Sequence, residues 1–265
     1  MLVLMRGAGD IATGVALRLM RAGFSVAMTE LPVPSAIRRT VAFSEAMRAG
    51  MATVEGVTAR FASSPKEALC VLKEGGLPVF ADPALESLPL FAPGALVDAA
   101  LAKRNLGVTM KSAPIVVGLG PGFTAGVDCH AAIETMRGHD LGRVYYEGAP
   151  MPNTGMPGEI GGQSGARLLR APASGLFCPL LEIGATVAAG DVVATVNGIA
   201  MRAAIPGVLR GLLPPGFPVT EGMKSGDIDP RGNVSACFTV SDKARSIGGA
   251  ALEAILHFAG RSAMK

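Results

Sequence analysis

The first thirty residues constrain this chain most. Leu2-Val3-Leu4-Met5 is a short apolar run of the kind a buried strand needs, and Arg6-Gly7-Ala8-Gly9-Asp10-Ile11-Ala12-Thr13-Gly14 follows at once. Residues 15–22 carry helical spacing, with Val15, Leu19 and Ala22 on one stripe and Arg18 and Arg21 off it. Gly23 is placed to stop that helix, and residues 24–28 read as a second strand closed by Glu30. Strand, glycine loop, helix and strand in this order match the βαβ unit that binds dinucleotides. In that reading Gly7 permits the tight turn, Gly9 admits a pyrophosphate, Ala12 is the small residue at the helix–strand contact, and the helix N-terminus offers N–H groups to phosphate. Glu30 stands about 20 residues on, where an acid accepts from ribose hydroxyls and favours NAD over NADP. Asp10 disagrees, because its carboxylate competes with phosphate for the same amides. Two unit charges about 4 Å apart repel by roughly 4 kcal/mol at an effective dielectric near 20. Asp10 therefore also reads as a helix cap or a cation holder, and a Rossmann-like half that binds no dinucleotide stands beside the nucleotide-binding reading.

A chain of 265 residues has room for two domains and a sizeable core. With 49% apolar residues, the 35 glycines and 19 prolines imply many turns rather than disorder. The net charge of +3 is too small to argue for nucleic acid or an acidic membrane. Tyr145 and Tyr146 are the only tyrosines and tryptophan is absent, so platforms for stacking bases are not expected. The N-terminal apolar run is too short for a signal peptide, and no run reaches the 18 or so apolar residues of a membrane span. Cys70, Cys129, Cys178 and Cys237 lie far apart with no C-x-x-C pair, the pattern of a reduced, cytoplasmic protein.

Further along, Ser35 reads as the cap of a helical segment running to Met47, with Arg38 and Arg39 either on a solvated face or meeting a nucleotide phosphate. Residues 56–62 alternate as a strand, and Ser64-Pro65 opens a helix to about Lys73. Residues 78–83 and 95–99 read as buried strands ending at Asp82 and Asp98, which stand as site lining or as loop caps. A strand at residues 114–117 runs into a second glycine loop, Gly118-Leu119-Gly120-Pro121-Gly122, where Pro121 removes one amide donor. A helix is expected over residues 128–137, which would put His130 and Glu134 on one face. With Asp128 and His139 they form the candidate acid–base set: Asp128, His130, Glu134 and His139. The spacing matches no metalloenzyme signature, so a metal stays unassigned, and helix capping with ion pairs is the plain alternative. Residues 151–165 are a long polar loop, with a domain boundary expected at its end.

Residues 171–229 repeat themselves at a spacing of 32: Gly175 matches Gly207, Gly184 matches Gly216, Val187 matches Val219, and Gly190 matches Gly222. Short apolar runs between glycine turns imply two interlocking all-β halves, and this stretch resembles the barrel-sandwich hybrid of biotinyl and lipoyl domains. The joint between the halves, Val196-Asn197-Gly198-Ile199, is a strong hairpin signal that carries no lysine, so neither biotin nor lipoate is expected. Asp227 and Asp229 would share one face of a strand and a cation or Arg231. Residues 237–240 read as a last strand, and Ser241 caps a helix from Asp242 to Phe258 expected to pack back on the first domain.

Six phrases taken together, RGAGDIATGVALRLMRAGF (6–24), LGPGFTAGVDCHAAIETMRGHDLGRV (119–144), NTGMPG (153–158), LRAPASG (169–175), GDIDPR (226–231) and SDKARSIGGAALEAI (241–255), resemble the YqeB family of selenium-dependent molybdenum hydroxylase system proteins. The resemblance implies an accessory role in hydroxylase maturation, with a molybdenum hydroxylase or its maturation proteins as partners. It supplies no catalytic residues. The expected fold is an α/β Rossmann-like domain over residues 1–166, a smaller all-β barrel-sandwich-hybrid domain over 167–235, and a strand with a C-terminal helix over 236–265. The expected ligand is a molybdopterin dinucleotide or NAD(P), held by Gly7, Gly9, Asp10, Ala12 and Glu30, with Gly118, Gly120 and Gly122 as a second anion loop. A non-catalytic docking protein and an NAD(P)-dependent oxidoreductase remain as alternatives, and whether the chain is an enzyme or a homo-oligomer stays open.

Overall fold

Seven strands run parallel through the centre of the largest sheet, and antiparallel strands close both of its edges. In the computed structural model, which describes residues 1–153, 155, 161–163 and 165–263, contacts divide the chain into two units. The first comprises Met1–Pro34, Ala42–Thr154 and Val240–Lys265, and the second Ser35–Val41 with Gly155–Thr239.

The first unit contains β1 (Leu2–Arg6), β2 (Ser25–Glu30), β3 (Met51–Val54), β4 (Val57–Phe61), β5 (Leu77–Ala81), β6 (Ala95–Asp98), β7 (Ile115–Leu119), β8 (Ala131–Ile133) and β9 (Val144–Tyr145). They form one nine-stranded sheet in the order β3-β4-β5-β2-β1-β6-β7-β8-β9, with β3–β4 and β8–β9 antiparallel. Its helices are α1 (Asp10–Arg21), α2 (Ala46–Ala49), α3 (Pro65–Lys73), α4 (Leu88–Phe91) and α5 (Asp242–Ala263). On one face Leu4, Ala27, Phe80, Leu96 and Val116 cluster with Ala68 of α3 and Phe91 of α4, and the rings of Phe80 and Phe91 stack at 5.3 Å. The intervening residues Val3, Met5, Val26, Met28, Val97 and Val117 are also fully buried, so both faces are covered.

Local chemistry sets the helix ends. The Ser64 hydroxyl accepts from Glu67 N–H (3.2 Å), while the Glu67 carboxylate reaches back to Ser63 N–H (2.8 Å), an arrangement close to a capping box with Pro65 at the first position. Ser241 Oγ accepts from Ala244 N–H at the start of α5 (3.2 Å). Helices α1 and α5 cross at glycine: a Cβ on Gly14 would stand 2.6 Å from Ala244 Cβ, and one on Gly248 would stand 2.8 Å from the Gly14 carbonyl oxygen.

The second unit contains β10 (Leu168–Arg170), β11 (Gly175–Pro179), β12 (Thr186–Val187), β13 (Val192–Val196), β14 (Ile199–Arg202), β15 (Gly207–Leu212), β16 (Pro218–Val219) and β17 (Lys224–Asp229). They form two four-stranded antiparallel sheets, β10-β17-β15-β12 and β14-β13-β11-β16. The repeat of 32 residues maps β11 onto β15, β12 onto β16 and β13 onto β17. Each sheet draws strands from both copies, and Phe177, Val193, Val208, Leu209, Leu212 and Ile228 fill the core. Asn197 and Gly198 both have left-handed φ (50° and 79°) in the two-residue hairpin joining β13 to β14, as the Asn-Gly pair requires.

The expected fold class is corrected. A Rossmann-like domain would carry crossover helices between its successive parallel strands. Here α1 joins β1 to β2 and α3 joins β4 to β5, but no helix joins β6 to β7 or β7 to β8, α4 is a single turn, and a β3–β4 hairpin extends the sheet at its far edge. The chain is a nine-stranded mixed sheet and a pair of antiparallel sheets, rather than a Rossmann-like domain with a biotinyl/lipoyl-like barrel-sandwich module. Three local expectations are corrected too. The helix expected over 128–137 is β8, because Ala131, Ala132 and Ile133 are wholly buried between β7 and β9. The helix expected from Ser35 to Met47 is replaced by an irregular run, two 3₁₀ turns and α2; Ile37 instead accepts a backbone bond from Leu212 of β15. The strand expected over residues 237–240 does not form: residues 234–237 are a 3₁₀ turn capped by Asn233, and residues 238–240 are irregular. Of the polar stretch 151–165, residues 154, 156–160 and 164 lie outside the described residues.

Candidate functional site

The carboxyl ends of β1, β2 and β6 place the first glycine loop. Gly7 has φ +94°, and a Cβ there would meet the Ala99 carbonyl oxygen at 2.9 Å, so this glycine serves both the turn and the close packing of the chain leaving β6. Gly9 differs: its backbone is extended (φ −66°, ψ −176°) and a Cβ would meet nothing within 4 Å. It is the N-cap of α1, and no side chain caps that helix end. Amides at a helix N-terminus are of the kind a phosphate uses. Ile11 and Ala12 are buried at the first turn, and Asp10 beside them is half-buried.

Glu30, expected to accept from ribose hydroxyls, accepts from amides of its own chain. One carboxylate oxygen of Glu30 accepts from Ala8 N–H and the other from Leu31 N–H, both at 2.8 Å. Burial pushes the carboxyl up, against these two amide bonds that pull it down. Glu30 thus holds the glycine loop in shape through one acceptor site on each oxygen. A segment that sequence reasoning missed braces the same loop. Ser44 N–H donates to the Ala8 carbonyl, Phe43 N–H donates to Thr13 Oγ1, and Phe43 is fully buried.

Asp82 and Asp98 are structural. Asp82 accepts from Glu86 N–H (2.8 Å), Ser87 N–H (2.9 Å) and the Ser87 hydroxyl (2.5 Å), which makes it a loop cap. Asp98 pairs with Arg6 at 3.3 Å and accepts from Ala100 N–H, and burial raises its carboxyl despite both partners. Arg6, another residue missed, is buried and also donates to the carbonyls of Pro83 and Leu106. Its signal in the sequence is an arginine closing an otherwise apolar strand.

The second glycine loop is filled by the protein. A Cβ on Gly118 would meet the Phe123 ring at 2.2 Å, one on Gly120 would meet Thr135 Oγ1 at 2.6 Å, and one on Gly122 would meet Arg104 Cα at 2.4 Å. These glycines admit neighbouring chain at their Cβ positions.

The expected acid–base set is dispersed. His130 precedes β8 and Glu134 follows it, so they stand at opposite ends of a strand, about 13 Å apart. His130 Nδ1 accepts from Val116 N–H (3.0 Å), its ring packs edge-on to Phe258 (5.5 Å), and burial lowers its pKa. Glu134 is buried and bonded to Met136 N–H (2.7 Å) and Met151 N–H (2.8 Å). Asp128 accepts from Thr124 N–H (2.9 Å), and His139 is exposed. β8 is also the third strand over from β1, about 14 Å from the first glycine loop. Among the described residues no group of three or more His, Cys, Asp or Glu is placed to hold a metal ion.

In the second unit Arg38 donates to the Ala236 carbonyl and Arg39 to the Leu212 carbonyl, so both serve that unit's own chain. Asp227 pairs with Arg167, and Asp229 with Arg231 (2.7 Å) and Arg210 (3.2 Å). The Arg231 partnership is the one its sequence spacing suggests.

Against known proteins, no family model matches the chain. An uncharacterized protein, YqeB of Escherichia coli (strain K12), is 52% identical over 255 residues, which are 96% of this chain and 47% of the relative. The chain is a relative of YqeB. It spans about half the length of that curated protein, and the likeness supports the YqeB resemblance carried by the six phrases. Among solved structures, a succinylglutamate desuccinylase/aspartoacylase from Rhodobacter sphaeroides is 17% identical with a TM-score of 0.28, covering 86% of this chain and 84% of that one. The product-bound ectoine utilization protein EutE from Ruegeria pomeroyi is 15% identical with a TM-score of 0.26 over the same shares. Likeness at these scores carries no argument about fold or activity. Among the described residues no helix is long and apolar enough to cross a membrane.

Proposed function

We propose that the chain is a cytoplasmic accessory factor in the maturation of selenium-dependent molybdenum hydroxylases, and that it holds a dinucleotide-type ligand by its pyrophosphate at the amino end of α1. The observation that carries the ligand half is Gly9: an extended N-cap with open space where a Cβ would stand, at a helix end that no side chain caps. A molybdopterin dinucleotide and NAD(P) both present a pyrophosphate there. With Glu30 engaged by Ala8 and Leu31, recognition rests on phosphate rather than ribose. The maturation half rests on the phrases shared with the YqeB family. The test is a Gly9→Asp variant expressed in cells that lack the native protein. Hydroxylases that stay unmatured while the variant melts like the parent support the proposal, and normal maturation refutes it.

One set of observations favours a second reading, a docking protein that binds no nucleotide. Glu30 and the second glycine loop are both used internally, and Asp10 stands in the first turn of α1. That reading predicts hydroxylase capture that survives Gly9→Asp.

A further inference from the structure

At the other end of α1 the first unit forms a small, partly open concavity lined by Leu17, Arg18, Arg21, Glu55, Val240 and Arg245. The lining brings together three guanidinium groups and one carboxylate. Glu55 comes from the tip of the β3–β4 hairpin, where it and Gly56 both have left-handed φ (46° and 82°), the two-residue turn that carries its side chain across to the helices. Its carboxylate accepts from Val240 N–H (3.1 Å) and Arg245 (2.6 Å) and meets Arg21 at 3.3 Å. Burial alone would raise the Glu55 carboxyl, but the Val240 N–H and the arginines outweigh it and hold it below its usual range. Glu55 is therefore ionised and shared by two arginines. Arg18 is exposed and has no hydrogen-bond or ion-pair partner among the described residues. Two positive charges remain in excess within a concavity, a shape that concentrates the field on an anion. Guanidinium forks match tetrahedral oxyanions.

We propose that this cavity binds free hydrogen phosphate, with its oxygens on Arg18 and Arg245 and its P–OH donating to Glu55. The carboxylate gives the site its selectivity. Hydrogen phosphate keeps a proton near neutral pH and satisfies Glu55, whereas sulfate, and a phosphomonoester with its second pKa of about 6, have no proton to give and meet it as a like charge. The site is separate from the proposed pyrophosphate position, since Arg18 and Arg21 lie nine and twelve residues along the helix from Gly9, about 13 and 18 Å.

The experiment is calorimetric titration of the full chain at constant ionic strength with inorganic phosphate, glycerol phosphate and sulfate. Phosphate should bind at least tenfold tighter than sulfate and tighter than glycerol phosphate, and a tighter glycerol phosphate would overturn the proposal. Arg18→Gln should weaken phosphate at least tenfold and, having no partner to lose, should leave the fold as it is. Glu55→Gln should remove the discrimination against sulfate. The proposal is overturned by no phosphate binding, by equal affinity for phosphate and sulfate in the parent, or by phosphate binding that survives Arg18→Gln and disappears in Gly9→Asp.

Discussion

Gly248 and Gly249 are neighbours in α5, and alanine should act on them with opposite sign. At Gly249 a Cβ would meet nothing within 4 Å, so Gly249→Ala removes only glycine's helix penalty and stabilises by about 1 kcal/mol. At Gly248 the same gain is opposed by contact with the crossing helix. The new Cβ would stand 2.8 Å from the Gly14 carbonyl oxygen and 3.2 Å from Arg18 Cβ. The first of these is backbone and cannot swing away, so overpacking costs roughly 1–3 kcal/mol, toward the upper end. Gly248→Ala should therefore be destabilised by about 1–2 kcal/mol, and the two variants should differ by about 2–3 kcal/mol. At roughly 2–4 °C per kcal/mol for chains of this size, that is a gap of about 4–12 °C in melting temperature. Circular dichroism melting of the two variants beside the parent reads it directly, because α5 is the longest helix. Equal melting temperatures for the two would refute the α1–α5 crossing described above.

Ser241→Ala removes the α5 cap and should cost about 1 kcal/mol, seen as a lowered urea midpoint at unchanged slope. Glu30 and Asp98 have carboxyls raised above their ordinary values of 4.5 and 3.8, so the folded state holds their protons more tightly than the unfolded chain. Stability from these two groups is therefore present below those ordinary values and declines as pH rises toward the raised folded values; Glu30→Gln should flatten the Glu30 share of that decline in a pH series of urea midpoints. In the native protein Cys70 and Cys178 are exposed and should react with an aromatic disulfide reagent. Cys129, buried and pushed up to about 12, and Cys237, buried and raised, should react only after denaturation.

The sequence is most legible where local chemistry and tertiary packing agree. The β1–α1–β2 run is one such place, and so are Ser64 and Ser241 as caps and the Asn197-Gly198 hairpin. The repeat of 32 residues is also read correctly, because strand length and glycine turns repeat with it. Legibility fails where a three-residue strand overrides a helical pattern. Ala131-Ala132-Ile133 suits either state, and only the vacant edge of β7 decides for β8. That one error assembles His130 and Glu134 into a helix face that does not exist. The overall class fails for a related reason: the connections from β6 to β7 and from β7 to β8 have no regular structure, although the strands they join lie parallel. At the glycine loops, sequence spacing identifies close approach but not what approaches. Gly118, Gly120 and Gly122 are met by Phe123, Thr135 and Arg104, and Gly9 alone of the proposed ligand-binding glycines has open space before it. No pattern announces that Glu30 turns inward to Ala8.

Ligand-dependent melting of the parent and of Gly9→Asp, with NAD, NADP, ATP, CTP and extracted molybdenum cofactor, tests the central claim most directly. Gly9 accepts a side chain without collision, and an aspartate there would itself cap α1, so the variant should melt at or above the parent without ligand. A ligand at about 100 times its dissociation constant adds roughly 2.7 kcal/mol. The account predicts that at least one pyrophosphate-bearing ligand raises the parent's melting temperature by several degrees and leaves Gly9→Asp unmoved. The same shift in both proteins, or none in the parent with any of these ligands, would contradict it.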